Sequence, residues 1–328
     1  MTDVGVRPST WTAVGSTLSG YVRNWDQAVV PAIFLVTVAT FYAIEPNYLS
    51  ATNIINVLNQ VSILAIVTVG ASIVIFTGGF DLSAGSVVAI SSVVGAIVFD
   101  HTGSLMFAVA AGVGTGFLVG AANGFVVGYI GVSPLIVTLG SMNIARGLAL
   151  IISAGTAIYS FPRSYTDFGT SSFLGIPTLA LVSFLVFAAM ALVIRLTPFG
   201  VYVYASGGNA HAAQLSGINV KFVRMTAFAI SGALCGLAGM MLAARTGGGE
   251  PTAGVLYELE AIAAVILGGA PLSGGEGRLW RAMMGILLLA ALGNGLNIVG
   301  MHPHWKGVAI GAILVLAASL DAVKRRRH

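Results

Sequence analysis

Two short glycine-rich stretches of this chain each carry one carboxylate. The first motif, TGGFDLSAG (Thr77–Gly85), contains Asp81, and the second motif, TGGGEPTAG (Thr246–Gly254), contains Glu250 at the equivalent position. A carboxylate among glycines and hydroxyl groups suits a catalytic loop, an ion site or a joint between helices. Because no other residues complete an active site, we predict two structural joints, in which each acid accepts hydrogen bonds from backbone N–H groups at a helix start. Gating of a pathway mouth is the alternative role.

A second set of polar residues lies inside otherwise apolar segments. Amides both donate and accept hydrogen bonds, which suits a neutral solute rich in hydroxyl groups, although amides also bridge helices within membranes. Arg146 falls near mid-depth of its segment, so it must face protein or water, and it either donates to a solute or clamps backbone carbonyls. We predict a polar pathway lined by Asn56, Asn59, Gln60, Asn123, Asn143, Arg146, Asn294 and Asn297.

These residues must be positioned by membrane helices. Of the 328 residues, 57% are hydrophobic and only 8% are charged, whereas soluble domains carry about 25% charged residues. The basic residues behind the net charge of +4 are too few and too scattered for nucleic-acid binding. With about 20 apolar residues per crossing, we predict an all-α polytopic membrane protein with about ten transmembrane helices, at about 28–44, 54–76, 85–99, 105–130, 134–153, 173–195, 222–244, 255–269, 280–299 and 304–321.

The distribution of lysine and arginine predicts the orientation. With ten spans, both termini share one side, and that side carries most of the 15 basic residues. Such an excess marks the cytoplasmic side. We therefore predict a cytoplasmic interfacial tail over 1–27, a single membrane domain over 28–321 and a basic cytoplasmic tail over 322–328. The termini's side holds Arg7, Arg23, Arg195, Lys221, Arg224, Arg278, Arg281, Lys324, Arg325, Arg326 and Arg327, and the other side holds Arg163, Arg245 and Lys306.

The two motifs belong to a longer internal repeat. They are separated by 169 residues, and GVSP (Gly131–Pro134) matches GMHP (Gly300–Pro303) at the same offset, each after an Asn-Gly pair. The copies, at about 45–153 and 214–321, begin five spans apart, so the second should be inverted in the membrane. Asp81 would then lie near the cytoplasmic end and Glu250 near the outer end. Inverted repeats are typical of transporters.

Glycine also recurs at every fourth position along two predicted spans. Small residues at this spacing let transmembrane helices approach closely, which predicts packing seams and not a solute site. The glycines concerned are Gly112, Gly116, Gly120 and Gly124 in the fourth span, and Gly307 and Gly311 in the tenth.

The sequence indicates that the energy for transport comes from elsewhere. Ion-driven carriers commonly hold ionisable groups near mid-membrane, but nearly every acid here is predicted at a span end or in a loop. The chain has no GxxxxGK[ST] phosphate-binding motif. In the loop Thr197–Arg224, Asn209 is a suitable N-cap, residues 210–216 a two-turn helix and Gly217 a left-handed stop. That helix either docks into a partner or is an ordinary surface helix.

From about residue 45 to 321 the chain resembles the permease subunit of bacterial ABC sugar importers of the ribose/xylose/arabinose class. The resemblance rests on PNYLSATNIINVLNQ, TGGFDLSAGS, NGFVVGYIGVSPLIVTLGSMNIARGLAL, ASGGNAHAAQLSGINV, YELEAIAAVILGGAPLSGG and NGLNIVG. One departure is Asn59 before Gln60, where these permeases often have arginine.

The resemblance implies a non-enzymatic subunit in the bacterial inner membrane, without cofactor or metal. Its partners would be a second permease, identical or paralogous, two cytoplasmic ATP-binding subunits, an extracytoplasmic sugar-binding protein and membrane lipid. The solute would be a monosaccharide or similar neutral polyol. An ion-coupled carrier and a membrane scaffold are the competing hypotheses. The resemblance makes the loop helix the ATPase coupling helix, formed by Gly207, Gly208, Asn209, Ala210, Ala212, Ala213, Leu215 and Gly217.

Overall fold

The computed structural model describes residues 29–302 and, beyond them, residues 305, 307–309, 311, 312 and 315. The predicted tails (1–27 and 322–328) and most of the tenth predicted span lie outside these residues. In chain order the elements are α1 (Val29–Ile44), a 3-10 turn (Pro46–Leu49), α2 (Ala51–Phe76), α3 (Ala84–Thr102), α4 (Leu105–Phe125) with a π-helical turn (Val126–Ile130), α5 (Pro134–Ile152), α6 (Arg163–Thr170), β1 (Ser172–Phe173), β2 (Ile176–Pro177), α7 (Thr178–Leu196), α8 (Pro198–Gly208), α9 (Ala210–Leu215), α10 (Val220–Thr246), α11 (Tyr257–Leu267) and α12 (Leu279–Ile298).

Seven helices of the described part are long and apolar enough to cross a membrane: α2, α3, α4 with its π-helical turn, α5, α7, α10 and α12. The class of all-α, multi-pass membrane protein is confirmed. Helix α1 is apolar but shorter. The eighth predicted span corresponds to α11, which has 11 residues and is therefore only about 16 Å long. Helix α11 alone is too short to cross about 30 Å of hydrocarbon.

The interior of the bundle is formed by α2, α10 and the first half of α3. Every residue of α2 from Val61 to Phe76 is buried, which explains why the segment is apolar on all faces. Helices α4, α5 and α7 instead expose large apolar side chains, among them Leu118, Ile151 and Leu185. Such faces are stable only against lipid or another apolar subunit.

Helices α4 and α10 pack at backbone distance along the predicted glycine seam. A Cβ on Gly116 would collide with the backbone of Gly232 and Gly236, and one on Gly124 would lie 2.7 Å from the Met225 carbonyl oxygen. The seam in the fourth span is thus confirmed. Around Gly307 and Gly311 no neighbour lies within 4 Å among the described residues.

The segment between α5 and α7 folds over the end of α10. The Tyr165 hydroxyl donates to the Met240 carbonyl at 2.8 Å, and burial raises the pKa of Tyr165, so the phenol stays a neutral donor. Ile158 and Gly249 exchange two backbone hydrogen bonds of 2.9 Å. This bridge ties the second motif to the segment between α5 and α7.

Candidate functional site

The first motif is held together by its own carboxylate. Asp81 is 3% exposed, and its Oδ1 accepts hydrogen bonds from the Ser83 backbone N–H at 3.0 Å and the Ser83 hydroxyl at 2.5 Å. Its Oδ2 accepts from the Ser231 hydroxyl of α10 at 3.0 Å. The Asn123 amide of α4 donates to the Ser83 hydroxyl oxygen at 3.0 Å. One buried network therefore joins α4, α10 and the start of α3.

Asp81 lies deeper in the bundle than its place after an apolar run suggests. Ser231, its partner, lies near the middle of α10 (Val220–Thr246), so Asp81 lies beside the centre of that helix. The segment between α2 and α3 is irregular, with a turn at Thr77 and Gly78, and it carries the carboxylate inward. Distance along the chain from the end of an apolar run does not reveal this inward path.

The second motif has a different arrangement of contacts. Glu250 is partly exposed, and its carboxylate accepts from the Thr252 hydroxyl at 3.0 Å, while its backbone N–H donates to the Ser92 hydroxyl of α3 at 3.2 Å. The carbonyl oxygens of Pro251 and Ala253 accept hydrogen bonds at 2.8 and 2.6 Å from Arg146 of α5. Of the two roles predicted for Arg146, these contacts match the clamp on backbone carbonyls.

The last glycines of the two motifs touch each other. A Cβ on Gly254 would lie 2.6 Å from the carbonyl oxygen of Gly85. A Cβ on Gly85 would collide with the carbonyl oxygen of Gly254 and with the Glu258 carboxylate. We call this contact the junction. Glu258 also interacts electrostatically with Arg146, so the arginine predicted near mid-depth of its span lies beside an acid in the first turn of α11.

A polar cleft lies between α2, α11 and α12, next to the junction. It brings together three of the predicted pathway amides, Gln60, Asn294 and Asn297. Its solvent-accessible volume is about 40 Å³, enough for about three water molecules, so a monosaccharide would require the cleft to widen. The cleft is lined by Gln60, Val61, Leu64, Tyr257, Glu260, Ala290, Gly293, Asn294 and Asn297.

The other predicted pathway residues lie away from this cleft. Asn123 belongs to the Asp81 network, and the exposed Asn143 donates to the Leu139 carbonyl of its own helix at 2.9 Å. Asn56 is exposed. The Oδ1 atom of Asn59 is buried without a hydrogen-bond donor among the described residues.

Sequence reasoning missed three polar residues of this region. Asn53 and Asn294 exchange two amide hydrogen bonds, of 2.8 and 2.9 Å, and so bridge α2 and α12 beside the cleft. Asn53 lies three residues before Asn56, a helical spacing that could have identified it. Tyr257 and Glu260 share the same spacing on α11, and Glu260 is only 6% exposed. A buried acid in a short apolar helix is a usable signal for a site.

The short helix in the long loop is present. The Asn209 carboxamide oxygen accepts from the Ala212 backbone N–H at 2.9 Å, and Gly217 has a φ of +85°. The preceding α8 was not predicted, and it anchors this helix to the bundle. The Tyr204 hydroxyl donates to the Gly277 carbonyl at 3.0 Å and its ring stacks on Phe76, the last residue of α2. Burial raises the pKa of Tyr204, although Arg278 opposes the rise.

Residues 53–318 match the family model for the permease component of branched-chain amino acid transport systems. The chain is 37% identical to the ribose import permease protein RbsC of Escherichia coli (strain K12) over 94% of this chain and 99% of that protein. It is 35% identical to the D-allose transport system permease protein AlsC of the same strain, over 90% and 92% of the two chains. Identity to the L-arabinose ABC transporter permease protein AraH of Azospirillum brasilense is 34%, over 92% and 89%.

No solved structure matches the chain. The family match covers most of the residues that the structure describes, including both motifs, the cleft and α9. The relatives are themselves named as permeases, which confirms the resemblance inferred from the motifs. This chain therefore belongs to the family of permease components of transport systems, and it is a multi-pass permease subunit.

Proposed function

We propose that the chain forms the membrane pathway of an ATP-driven importer for a monosaccharide or related neutral polyol. The names of the ribose, allose and arabinose permeases support the solute class. The observation that carries the proposal is the cleft, because three amides, a phenol and a carboxylate converge there inside an otherwise apolar bundle.

The chemistry of the cleft favours hydroxyl groups over charges. Gln60, Asn294 and Asn297 can each donate to and accept from a sugar hydroxyl, and Glu260 adds a further acceptor. A buried carboxylate repels an anionic solute, and the repulsion is strong where the dielectric constant is low. The aromatic ring of Tyr257 supplies an apolar face of the kind that a sugar ring can cover. A neutral polyol fits this combination best.

Ten crossings arranged as two inverted repeats agree with the helix boundaries. Moving α2 (Ala51–Phe76) along the chain by the repeat offset of 169 residues gives 220–245, and α10 spans Val220–Thr246. The short α11 would complete a crossing together with the irregular second motif that precedes it. Interrupted helices near the midplane of inverted repeats commonly flank transport sites. Both termini would be cytoplasmic, as the distribution of basic residues favours.

The partners in this proposal are two cytoplasmic ATPase subunits, an extracytoplasmic sugar-binding protein and a second permease. Helix α9 would seat on the ATPase, since Leu215 is 77% exposed at its end. A displacement of α9 would reach α2 through the contact between Gly207 and the Phe76 carbonyl, and the loop before α12 through Tyr204. Rocking of the two halves would then open the cleft on alternate sides.

Uptake by the reconstituted complex tests the pathway. We expect Asn297→Leu and Gln60→Leu each to reduce uptake of a neutral pentose about tenfold, since each removes hydrogen bonds to the solute. Asn143→Leu is the matched control and should transport normally. Uptake by this chain alone on an ion gradient would refute the proposal in favour of a secondary carrier. Unchanged uptake by both cleft variants would refute the cleft as the pathway.

Leu215→Arg tests the coupling helix separately. A bulky cation at the exposed end of α9 should prevent the ATPase from seating, and thereby abolish ATP hydrolysis stimulated by the binding protein. The control is His211→Ala on the same helix, which trims an exposed side chain. Normal assembly and normal stimulated hydrolysis in Leu215→Arg would show that α9 is only a surface helix.

A further inference from the structure

Arg146 is the one predicted pathway residue that contacts the other half of the molecule without lining the cleft. Both of its hydrogen bonds to the second motif, to Pro251 and Ala253, come from a single nitrogen atom, Nη1. Hydrogen bonds from a charged donor are stronger than neutral ones. A guanidinium at this depth must face protein or water, and Glu258 lies close enough to interact with it electrostatically.

The start of α11, just after the backbone that Arg146 holds, is not capped by a side chain. The helix begins after Leu256, whose φ is +71°. A left-handed conformation costs a residue with a side chain about 1–3 kcal/mol and persists only where surrounding contacts impose it. Helix starts are usually fixed by a capping Ser, Thr, Asp or Asn. Here Arg146 and the junction hold the chain before that start, together with a turn hydrogen bond from the Tyr257 N–H to the Gly254 carbonyl at 3.1 Å.

The position of α11 in turn determines the polar wall of the cleft. Tyr257 and Glu260 belong to its first turn, directly after the carbonyls that Arg146 holds. A small rotation of the helix start would remove both side chains from Gln60 and Asn297. The order of contacts is therefore Arg146, then the Pro251 and Ala253 carbonyls, then α11, then the cleft.

We propose that Arg146 is a positioning residue for transport, which acts through the Pro251 and Ala253 carbonyls to hold Tyr257 and Glu260 in the cleft. It does not bind the solute. The inference rests on the proposed function, because it takes the cleft as the pathway. It adds that one side chain of α5 shapes the α11 wall of the solute site.

The test compares Arg146→Met and Arg146→Lys in the complete reconstituted importer. Because both hydrogen bonds leave from one nitrogen, a lysine ammonium can replace them, whereas methionine cannot. We expect the maximal uptake rate of Arg146→Met to fall about tenfold or more, and that of Arg146→Lys to recover most of the loss. The concentration of loaded binding protein that gives half-maximal uptake should stay unchanged, since Arg146 lies within α5 (Pro134–Ile152) and not at either end of that helix. Arg163→Met removes an exposed arginine and is the control.

Two further measurements separate positioning from misfolding. The single cysteine, Cys235, is buried in the interior, so a variant that keeps its fold should stay unreactive toward a maleimide in detergent. Should Arg146→Met fail this check, Arg146→Gln replaces it in the comparison, because the glutamine amide nitrogen ends two bonds short of Nη1 and so cannot reach both carbonyls. Full uptake by the folded neutral variant would overturn the inference. Equal loss in the lysine variant would overturn it too, because the guanidinium itself would then be required.

The result is distinguishable from failure of the proposed function. If the wild-type complex transports the sugar and Gln60→Leu does not, the cleft is the pathway whatever Arg146 does. A fully active Arg146→Met in that setting would refute only the positioning role. Absence of ATP-dependent uptake by the wild-type complex would instead refute the proposed function, and the positioning role with it.

Discussion

The first and second motifs are nearly identical in sequence but are held in place by opposite means. In the first, the acid is buried and accepts three hydrogen bonds from Ser83 and Ser231. In the second, the acid is partly exposed, and the backbone carbonyls of the motif are held from outside by Arg146. One loop is thus fixed by its own side chain and the other by a side chain of the opposite repeat.

This difference indicates that the two halves have unequal roles. A loop that supplies its own buried acceptor is rigid as long as the fold persists, because an opened network would leave orphaned polar groups. The second motif is held instead by contacts from outside it, namely the Arg146 hydrogen bonds, the Ser92 hydroxyl and the backbone bridge to Ile158, so a shift of those segments can release it. We infer that the second motif is the more easily displaced of the two, and the following predictions test this asymmetry.

The largest effect is expected for Asp81→Leu. It leaves the Ser83 N–H and two hydroxyl groups without their acceptor in a buried site, which should lower the free energy of unfolding by about 3 kcal/mol or more. Asp81→Asn is the control, because an amide keeps Oδ1 and its NH₂ group can face the Ser231 oxygen. Thermal unfolding of the detergent-purified complex measures the stability of both the Asp81→Leu and the Asp81→Asn variant. Equal destabilisation by Leu and Asn would mean that charge, and not the hydrogen-bond pattern, holds the first motif.

Gly85→Ala should have the next largest effect, since it disturbs both motifs at once. The added methyl group meets the Gly254 carbonyl and the Glu258 carboxylate, and overpacking of this kind costs about 1–3 kcal/mol. Gly114→Ala, a helical glycine with no neighbour within 4 Å among the described residues, should be neutral or slightly stabilising. Uptake and unfolding temperature are the readouts. A neutral Gly85→Ala would show that the junction is looser than its geometry indicates.

Ser92→Ala removes one neutral contact of the second motif. The Glu250 backbone N–H would lose the acceptor that it now finds at 3.2 Å, at a cost of about 1 kcal/mol. The counterpart for the first motif is Ser231→Ala in α10, which deprives the Asp81 carboxylate of a hydrogen-bond donor. This change should lower the free energy of unfolding more than Ser92→Ala does, because the acceptor is charged. A smaller effect of Ser231→Ala than of Ser92→Ala would reverse the ranking of the two motifs.

The smallest effect is expected for Glu250→Ala. Its partly exposed carboxylate accepts a hydrogen bond from the Thr252 hydroxyl, and such sites tolerate substitution within about 0.5 kcal/mol. The comparison with Asp81→Leu, measured in the same thermal unfolding assay, is the sharpest single contrast between the motifs. A loss as large as that of Asp81→Leu would mean that the two acids have equivalent roles.

Much of the fold was predictable from composition and periodicity. The seven helices of the described part that are long enough to cross a membrane followed from uninterrupted apolar runs, because a helix in lipid must satisfy all its backbone groups internally. The cap at Asn209 and the stop at Gly217 followed from local chemistry. The length of α11 and the existence of α8 could not be predicted from the sequence, since each depends on contacts with segments distant in the chain.

The candidate site was predictable only in part. Residue type identified Gln60, Asn294 and Asn297, which do meet in the cleft. It also selected Asn123 and Asn143, whose hydrogen bonds go to Ser83 and to their own helix. An amide offers the same donor and acceptor to a solute as to a neighbouring helix, so residue type alone cannot distinguish a pathway residue from a bridge.

The sequence by itself determined the membrane class, the family and the existence of two related motifs, because hydropathy and repeated residues are local properties of the chain. Only the tertiary structure decided that the first motif reaches the middle of α10, that the two motifs touch at Gly85 and Gly254, and that they use different contacts. The physical reason is that a buried polar group must find its partner in three dimensions. For Asp81 that partner is 150 residues away at Ser231, and for Pro251 it is 105 residues away at Arg146.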